Sequence, residues 1–177
     1  MTTANKLTIL RVLMIPVFLV VLYWGFPGCR YVALGIYIVA CLTDLLDGYI
    51  ARHYDQISDF GKFMDPLADK CLVMAALCWF VEEGTFAAWV LAIVLLREFA
   101  VSGMRLVAVE KGRVIAAGWS GKIKTSCTMV GLIAMMVLPN VPVLDTVVNV
   151  VILVTTVYSG VEYFVKNWHC LGLGKKA

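Results

Sequence analysis

Charge is scarce in this sequence. Asp, Glu, Lys and Arg make up 15% of its 177 residues and hydrophobic residues 62%, whereas a soluble domain carries about 25% and about 45–50% respectively. So little charge excludes an ordinary soluble domain. A chain of roughly 150 residues buries only about 70% of the surface it exposes when unfolded, and the remainder here would be greasy. The net charge is +3, with basic residues spread along the chain rather than gathered in a stripe, which excludes a nucleic-acid surface. The six cysteines (29, 41, 71, 78, 127 and 170) form no CxxC pair and lie mostly in apolar runs, so neither a zinc site nor a disulfide framework is indicated. The two histidines, His53 and His169, are too distant in sequence for a local ligand pair. No repeat, low-complexity tract or linker divides the chain, and a single membrane domain over 1–177 is expected.

What fills the sequence instead is apolar runs. Six can be drawn, at roughly 7–24, 31–52, 63–82, 85–109, 121–139 and 142–165, each near the ~20 residues a helix needs to cross ~30 Å of hydrocarbon. They predict an all-α integral membrane protein with six transmembrane helices. The first run is long, Arg11 interrupts its start and no A-x-A-like site follows, so it reads as a retained helix rather than a signal peptide. Orientation follows from the basic residues. With the N-terminus inside, Lys6, Arg11, Arg52, Lys62, Lys70, Arg105, Lys111, Arg113, Lys122, Lys124, Lys166, Lys175 and Lys176 fall at cytoplasmic ends and loops. Arg30 alone falls in an outer loop, where Glu82, Glu83 and Asp145 also lie, and Arg97 falls within the fourth run.

Against this apolar background, four aspartates crowd the end of the second run and the start of the third. Asp44 and Asp47 are three apart and Asp65 and Asp69 four apart, so within a helix each pair shares one face. Boundary carboxylates in a membrane chain are functional by default, and such a cluster repels itself unless a cation neutralises it. Four carboxylates without a neighbouring Cys or His suit a hard divalent ion, Mg²⁺, Mn²⁺ or Ca²⁺. Two such ions balance the charge, and their common use is to hold a diphosphate during displacement at phosphorus.

The residues between the pairs suit that use. Gly48 and Ala51 leave the helix face beside Asp47 nearly bare, which opens room for a flat ligand or, alternatively, for close helix packing. Arg52 offers a planar fork to a phosphate. Pro66 is expected in the first turn of the third helix, with Asp65 near its N-terminus, and Asp55 and Asp59 are expected as solvated loop charges.

The whole spacing, Asp44-x2-Asp47-Gly48-x2-Ala51-Arg52-x8-Gly61-x3-Asp65-x3-Asp69, resembles the signature of the CDP-alcohol phosphotransferase family with every fixed position filled. The stretches "NKLTILRVLMIPVF", "REFAVSGMRL" and "AAGWSGKIKT" extend the likeness nearly end to end, toward the bacterial branch that uses sn-glycerol 3-phosphate. The resemblance implies a six-helix membrane bundle preceded by a short N-terminal membrane-surface helix, usually a homodimer, in the bacterial cytoplasmic membrane with its polar cavity facing the cytoplasm. It implies transfer of the phosphatidyl group from CDP-diacylglycerol to sn-glycerol 3-phosphate, giving phosphatidylglycerophosphate and CMP. By the same resemblance Asp44, Asp47, Asp65 and Asp69 hold two divalent cations, Mg²⁺ or Mn²⁺, and Asp69 is also the general base. Gly48, Ala51 and Arg52 match the part of the motif that lies against CDP-diacylglycerol, with Thr43 a looser candidate.

An acceptor that bears a phosphate needs a second anion site. The stretch "GWSGKIKT" leads with glycine into the fifth helix, places Lys122 and Lys124 in its expected first turn, and adds a helix N-terminus of positive partial charge. Arg105, near the cytoplasmic end of the fourth helix, is expected to close on the same anion. The alternative is that these three anchor lipid headgroups. Arg97 and Glu98 are expected to neutralise each other or a neighbouring helix, and Lys111 and Arg113 to face solvent or headgroups.

Three other functions compete. An intramembrane prenyltransferase also uses aspartates and Mg²⁺, but its pattern is longer and its two motifs are well separated. A divalent-cation channel or transporter explains the carboxylates and leaves Gly48, Ala51 and Arg52 unexplained. The nearest rival keeps the chemistry and changes the acceptor to serine, an inositol phosphate or phosphatidylglycerol, a choice the aspartate motif does not make.

Overall fold

The computed structural model describes residues 3–53, 59–110, 112, 115 and 118–168, with side chains over 9–43, at 68, and over 70–110, 112, 115 and 118–168. Among the described residues there are six helices and no strand: α1 Thr3–Trp24, α2 Cys29–His53, α3 Asp59–Glu82, α4 Ala88–Glu110, α5 Trp119–Val137 and α6 Pro142–Asn167. Each apolar run of the sequence corresponds to one helix. Of these, α6 is long and apolar enough among the described residues to cross a membrane.

Three boundaries differ from the sequence reading. No separate short helix precedes the first run, because α1 continues unbroken from Thr3; nothing between Thr3 and Arg11 breaks a helix. Pro16 lies inside α1, where the carbonyl four residues earlier loses its in-helix donor. Helix α3, spanning Asp59–Glu82, already includes the residues ahead of 63. Asp59 is therefore a helix residue and not a loop charge. Pro66 is interior to α3 rather than in its first turn, and Asp65 sits deeper than expected. Helix α5 begins at Trp119, which moves Lys124 from the first turn into the second.

The chain divides into two compact units, Met1–Trp79 and Phe80–Ala177. In the first, α1 packs along α2. The buried residues Arg11, Phe18 and Leu22 of α1 and Ala33, Tyr37 and Ala40 of α2 recur at three, four and seven positions, as one face of a helix requires. The Phe18 and Tyr37 rings meet at 6.1 Å, tilted by 42°. Arg30, at the start of α2, lies 4.9 Å from the centre of the Trp79 ring on α3, within range of a cation–π attraction.

In the second unit, α6 packs against both α4 and α5. Its buried stripe is Val148, Ile152, Thr156, Ser159 and Tyr163. The facing stripes are Val90, Val94, Val101, Met104 and Ala108 on α4, and Lys124, Thr128, Gly131, Leu132, Met135 and Met136 on α5. The turn before α4 is tied to α6 by Asn149, whose Oδ1 accepts from the Ala87 amide at 2.9 Å while its Nδ2 donates to the Thr85 and Asp145 carbonyls at 3.0 and 2.8 Å. Away from these stripes the surface is apolar. Leu96, Phe99 and Leu106 on α4 are 70–72% exposed, and Val143 and Val165 on α6 are 74% and 71% exposed.

Candidate functional site

The two halves of the expected site lie on different elements. Asp44 and Asp47 are in α2, together with Gly48, Ala51 and Arg52; Asp65 and Asp69 are in α3. Both helices run without a break through these positions, so the i,i+3 and i,i+4 spacings place each aspartate pair on one helix face. The side chains of Asp44, Asp47, Gly48, Ala51, Arg52, Asp65 and Asp69 lie outside the described residues. Among the described residues there is no cluster of His, Cys, Asp or Glu side chains able to hold a metal. Thr43, the last residue before the motif whose side chain is described, donates its hydroxyl to the Ala40 carbonyl at 2.8 Å, which leaves its oxygen lone pairs open to a donor.

The expected acceptor residues belong to the second unit. Lys124 is 4% exposed because its position continues the buried stripe of α5 one turn ahead of Thr128. Its ammonium donates to Glu98 Oε1 at 2.6 Å. The same oxygen accepts from Arg97 Nη1 at 2.8 Å. Glu98 falls between Val94 and Val101 on the buried stripe of α4, the stripe that packs on α6, and the Lys124 side chain reaches it from α5. Burying a charge is affordable only beside a partner.

Arg97 is held by glycines. A Cβ at Gly160 on α6 would stand 3.3 Å from Arg97 Cγ, and one at Gly121 on α5 would stand 3.4 Å from Nη2. The arginine stem thus passes where α5 and α6 carry no side chain. Its Nε is buried without a hydrogen-bond partner.

Lys122 takes a different direction. Residues two apart on a helix do not face the same way, and Lys122 is exposed, its ammonium 5.1 Å from the centre of the Trp119 ring. Arg105 takes a third partner. Its Nε donates to the Tyr163 hydroxyl at 3.3 Å, and its guanidinium carbon lies 5.6 Å from that ring's centre. Tyr163 packs with Val101 and Met104. Seven residues separate Glu98 from Arg105, about 10 Å of rise along α4. Helix α5 starts after Gly118, with no side-chain cap on its first amides, and an uncapped helix N-terminus suits an anion. Gly121, Gly160 and Tyr163 were not singled out in the sequence, although the glycines sit at helical spacing on the faces that carry the buried stripes.

The family model for CDP-alcohol phosphatidyltransferase matches residues 1–160. The CDP-diacylglycerol--glycerol-3-phosphate 3-phosphatidyltransferase of Bacillus subtilis is 38% identical, over 94% of this chain and 95% of that one. A probable phosphatidylglycerophosphate synthase of Mycobacterium tuberculosis is 38% identical over 96% of this chain and 83% of its own. The CDP-diacylglycerol--glycerol-3-phosphate 3-phosphatidyltransferase of Haemophilus influenzae is 41% identical over 71% of this chain and 70% of its own.

Proposed function

The chain belongs to the CDP-alcohol phosphatidyltransferase family, and from that membership we propose that it transfers the phosphatidyl group of CDP-diacylglycerol to sn-glycerol 3-phosphate. The products are phosphatidylglycerophosphate, the precursor of phosphatidylglycerol and cardiolipin, and CMP. The observation that carries this reading is the nearly full-length likeness to relatives whose names specify that acceptor. The chemistry needs an alcohol oxygen to bond to the lipid-side phosphorus while the bond from that phosphorus to the CMP oxygen breaks. The hydroxyl proton goes to a base and the electron pair leaves with CMP.

Asp44, Asp47, Asp65 and Asp69 are assigned two divalent cations, Mg²⁺ or Mn²⁺. Their oxygen-only donor set, paired on two continuous helices, fits hard ions. When bound, the ions neutralise the diphosphate and stabilise the departing CMP oxygen. Asp69 takes the glycerol hydroxyl proton. Gly48 and Ala51 leave α2 thin enough for the nucleotide to lie against it, Arg52 pairs with a phosphate, and Thr43 contacts the same substrate. Arg105, Lys122 and Lys124 are assigned the acceptor's phosphate, aided by the N-terminus of α5.

The same reading makes the chain a single domain that crosses the bacterial cytoplasmic membrane six times, as a homodimer with its active site toward the cytoplasm. The apolar span of α6 and the exposed apolar faces of α1, α4 and α6 support membrane embedding, because soluble monomers rarely expose contiguous apolar faces.

Purified protein given CDP-diacylglycerol and Mg²⁺ or Mn²⁺, with sn-glycerol 3-phosphate, phosphatidylglycerol, serine or inositol phosphate, tests the assignment by CMP release and lipid product. Phosphatidylglycerophosphate from the first acceptor alone is expected. A phosphatidyl product from another acceptor, with none from sn-glycerol 3-phosphate, overturns it.

A further inference from the structure

Glu98 is a partly buried carboxylate on which two cations from different helices converge, and neither the aspartate motif nor the acceptor assignment uses it. One oxygen, Oε1, receives both Arg97 Nη1 at 2.8 Å and Lys124 Nζ at 2.6 Å. The side chains of all three are nearly enclosed, at 12% exposure for Glu98, 13% for Arg97 and 5% for Lys124. The Lys124 ammonium sits within 2.6 Å of the carboxylate, so the carboxylate is one of the groups that set where this charge rests. Arg97 in turn passes close to Gly160 and Gly121, where an added Cβ would stand 3.3 Å from its Cγ, a tight contact, and 3.4 Å from its Nη2, an ordinary one. Three helices therefore fix one arrangement of two cations.

We propose that Glu98 is a positioning residue for acceptor recognition. It holds the Lys124 ammonium and the Arg97 guanidinium in register so that Lys124 meets the phosphate monoester of the acceptor in a preset place, while leaving CDP-diacylglycerol binding alone. This rests on the assignment of Lys124 to the acceptor phosphate made above. Preset charges bind a phosphate without the cost of ordering a flexible side chain on contact, and the effect belongs to the acceptor because a phosphate monoester is the group that Lys124 engages.

The test is steady-state kinetics of the full-length protein in detergent with Mg²⁺, varying each substrate, for Glu98→Gln, Lys124→Gln and the double variant. Glu98→Gln is expected to raise KM for sn-glycerol 3-phosphate about tenfold while KM for CDP-diacylglycerol stays within about twofold, the split that distinguishes lost acceptor binding from general damage. The double variant is expected to be no worse than Lys124→Gln alone, because residues acting through one another are not additive. An unchanged acceptor KM in Glu98→Gln, equal rises in both KM values, or additive losses in the double variant overturns the proposal. If Lys124→Gln leaves acceptor KM unchanged, the acceptor assignment of Lys124 fails first and the positioning role falls with it. Should Glu98→Gln not accumulate as folded protein, Gly160→Ala decides. It keeps every charge and displaces the Arg97 stem, and is expected to raise acceptor KM selectively by about threefold; an unchanged acceptor KM in that variant overturns the proposal.

Discussion

Gly131 on α5 leaves no room for a side chain against Val148 on α6: a Cβ there would stand 2.8 Å from Val148 Cγ1. That approach is closer than real carbon contacts permit, so the two helices meet at a distance only glycine allows. Gly131→Ala is expected to destabilise the second unit by about 1–3 kcal/mol, the usual cost of overpacking. Gly35, on α2, faces open space at its Cβ position, and Gly35→Ala is expected to be neutral or to stabilise by up to about 1 kcal/mol. Thermal unfolding in detergent compares the two; equal effects would contradict the close approach.

Asn149 closes the turn ahead of α4 through two hydrogen bonds, to the Ala87 amide and the Thr85 carbonyl, and makes a third to the Asp145 carbonyl within α6. Asn149→Ala removes all three and leaves partly buried backbone groups unpaired, at an expected cost of about 1–3 kcal/mol. Neither KM should change in the protein that remains folded, since this turn carries none of the residues assigned to substrates.

Lys122 and Lys124 are two residues apart and differ in exposure, the first open to solvent and the second buried against Glu98. Lys124→Gln is expected to raise KM for sn-glycerol 3-phosphate about tenfold or more, and Lys122→Gln less than about threefold, because exposed charges act weakly and through screening. Raising the salt concentration should mimic Lys122→Gln in the wild type and add little to that variant. Larger losses from Lys122→Gln would place the acceptor phosphate at the exposed start of α5.

For the aspartates, chelation with EDTA is expected to stop CMP release, and Mg²⁺ or Mn²⁺ to restore it. Asp44→Asn, Asp47→Asn and Asp65→Asn are each expected to lower metal affinity, visible as a higher metal concentration for half-maximal rate. Asp69→Asn is expected to cost about a hundredfold or more in kcat even at saturating metal. Near wild-type turnover in Asp69→Asn with metal bound would remove the base assignment.

Much of the fold was legible because its signals are local. A helix-forming apolar run is recognisable within ~20 residues, and each of the six runs became one helix. The departures from the sequence pattern are local as well. Charges and glycine at 59–62 suggest a loop, yet these residues belong to α3, and Pro66 is interior to it although a proline inside an isolated helix costs about 3 kcal/mol. The separate N-terminal helix implied by resemblance merged with α1, since nothing in the intervening residues stops a helix that has started.

By itself the sequence determined that each of its six apolar runs forms a helix among the described residues, and the spacing of Asp44 from Asp47 and of Asp65 from Asp69. Those features depend on spacings of three or four residues and on apolar runs, which the chain carries regardless of its neighbours. Only the tertiary structure decided the neighbours of Lys124, Arg105 and Arg97. Lys124 pairs with Glu98 across 26 residues, Arg105 with Tyr163 across 58, and Arg97 threads between Gly121 and Gly160. A buried charge must find its counter-charge inside the protein, and which one it finds depends on the stripes along which helices dock.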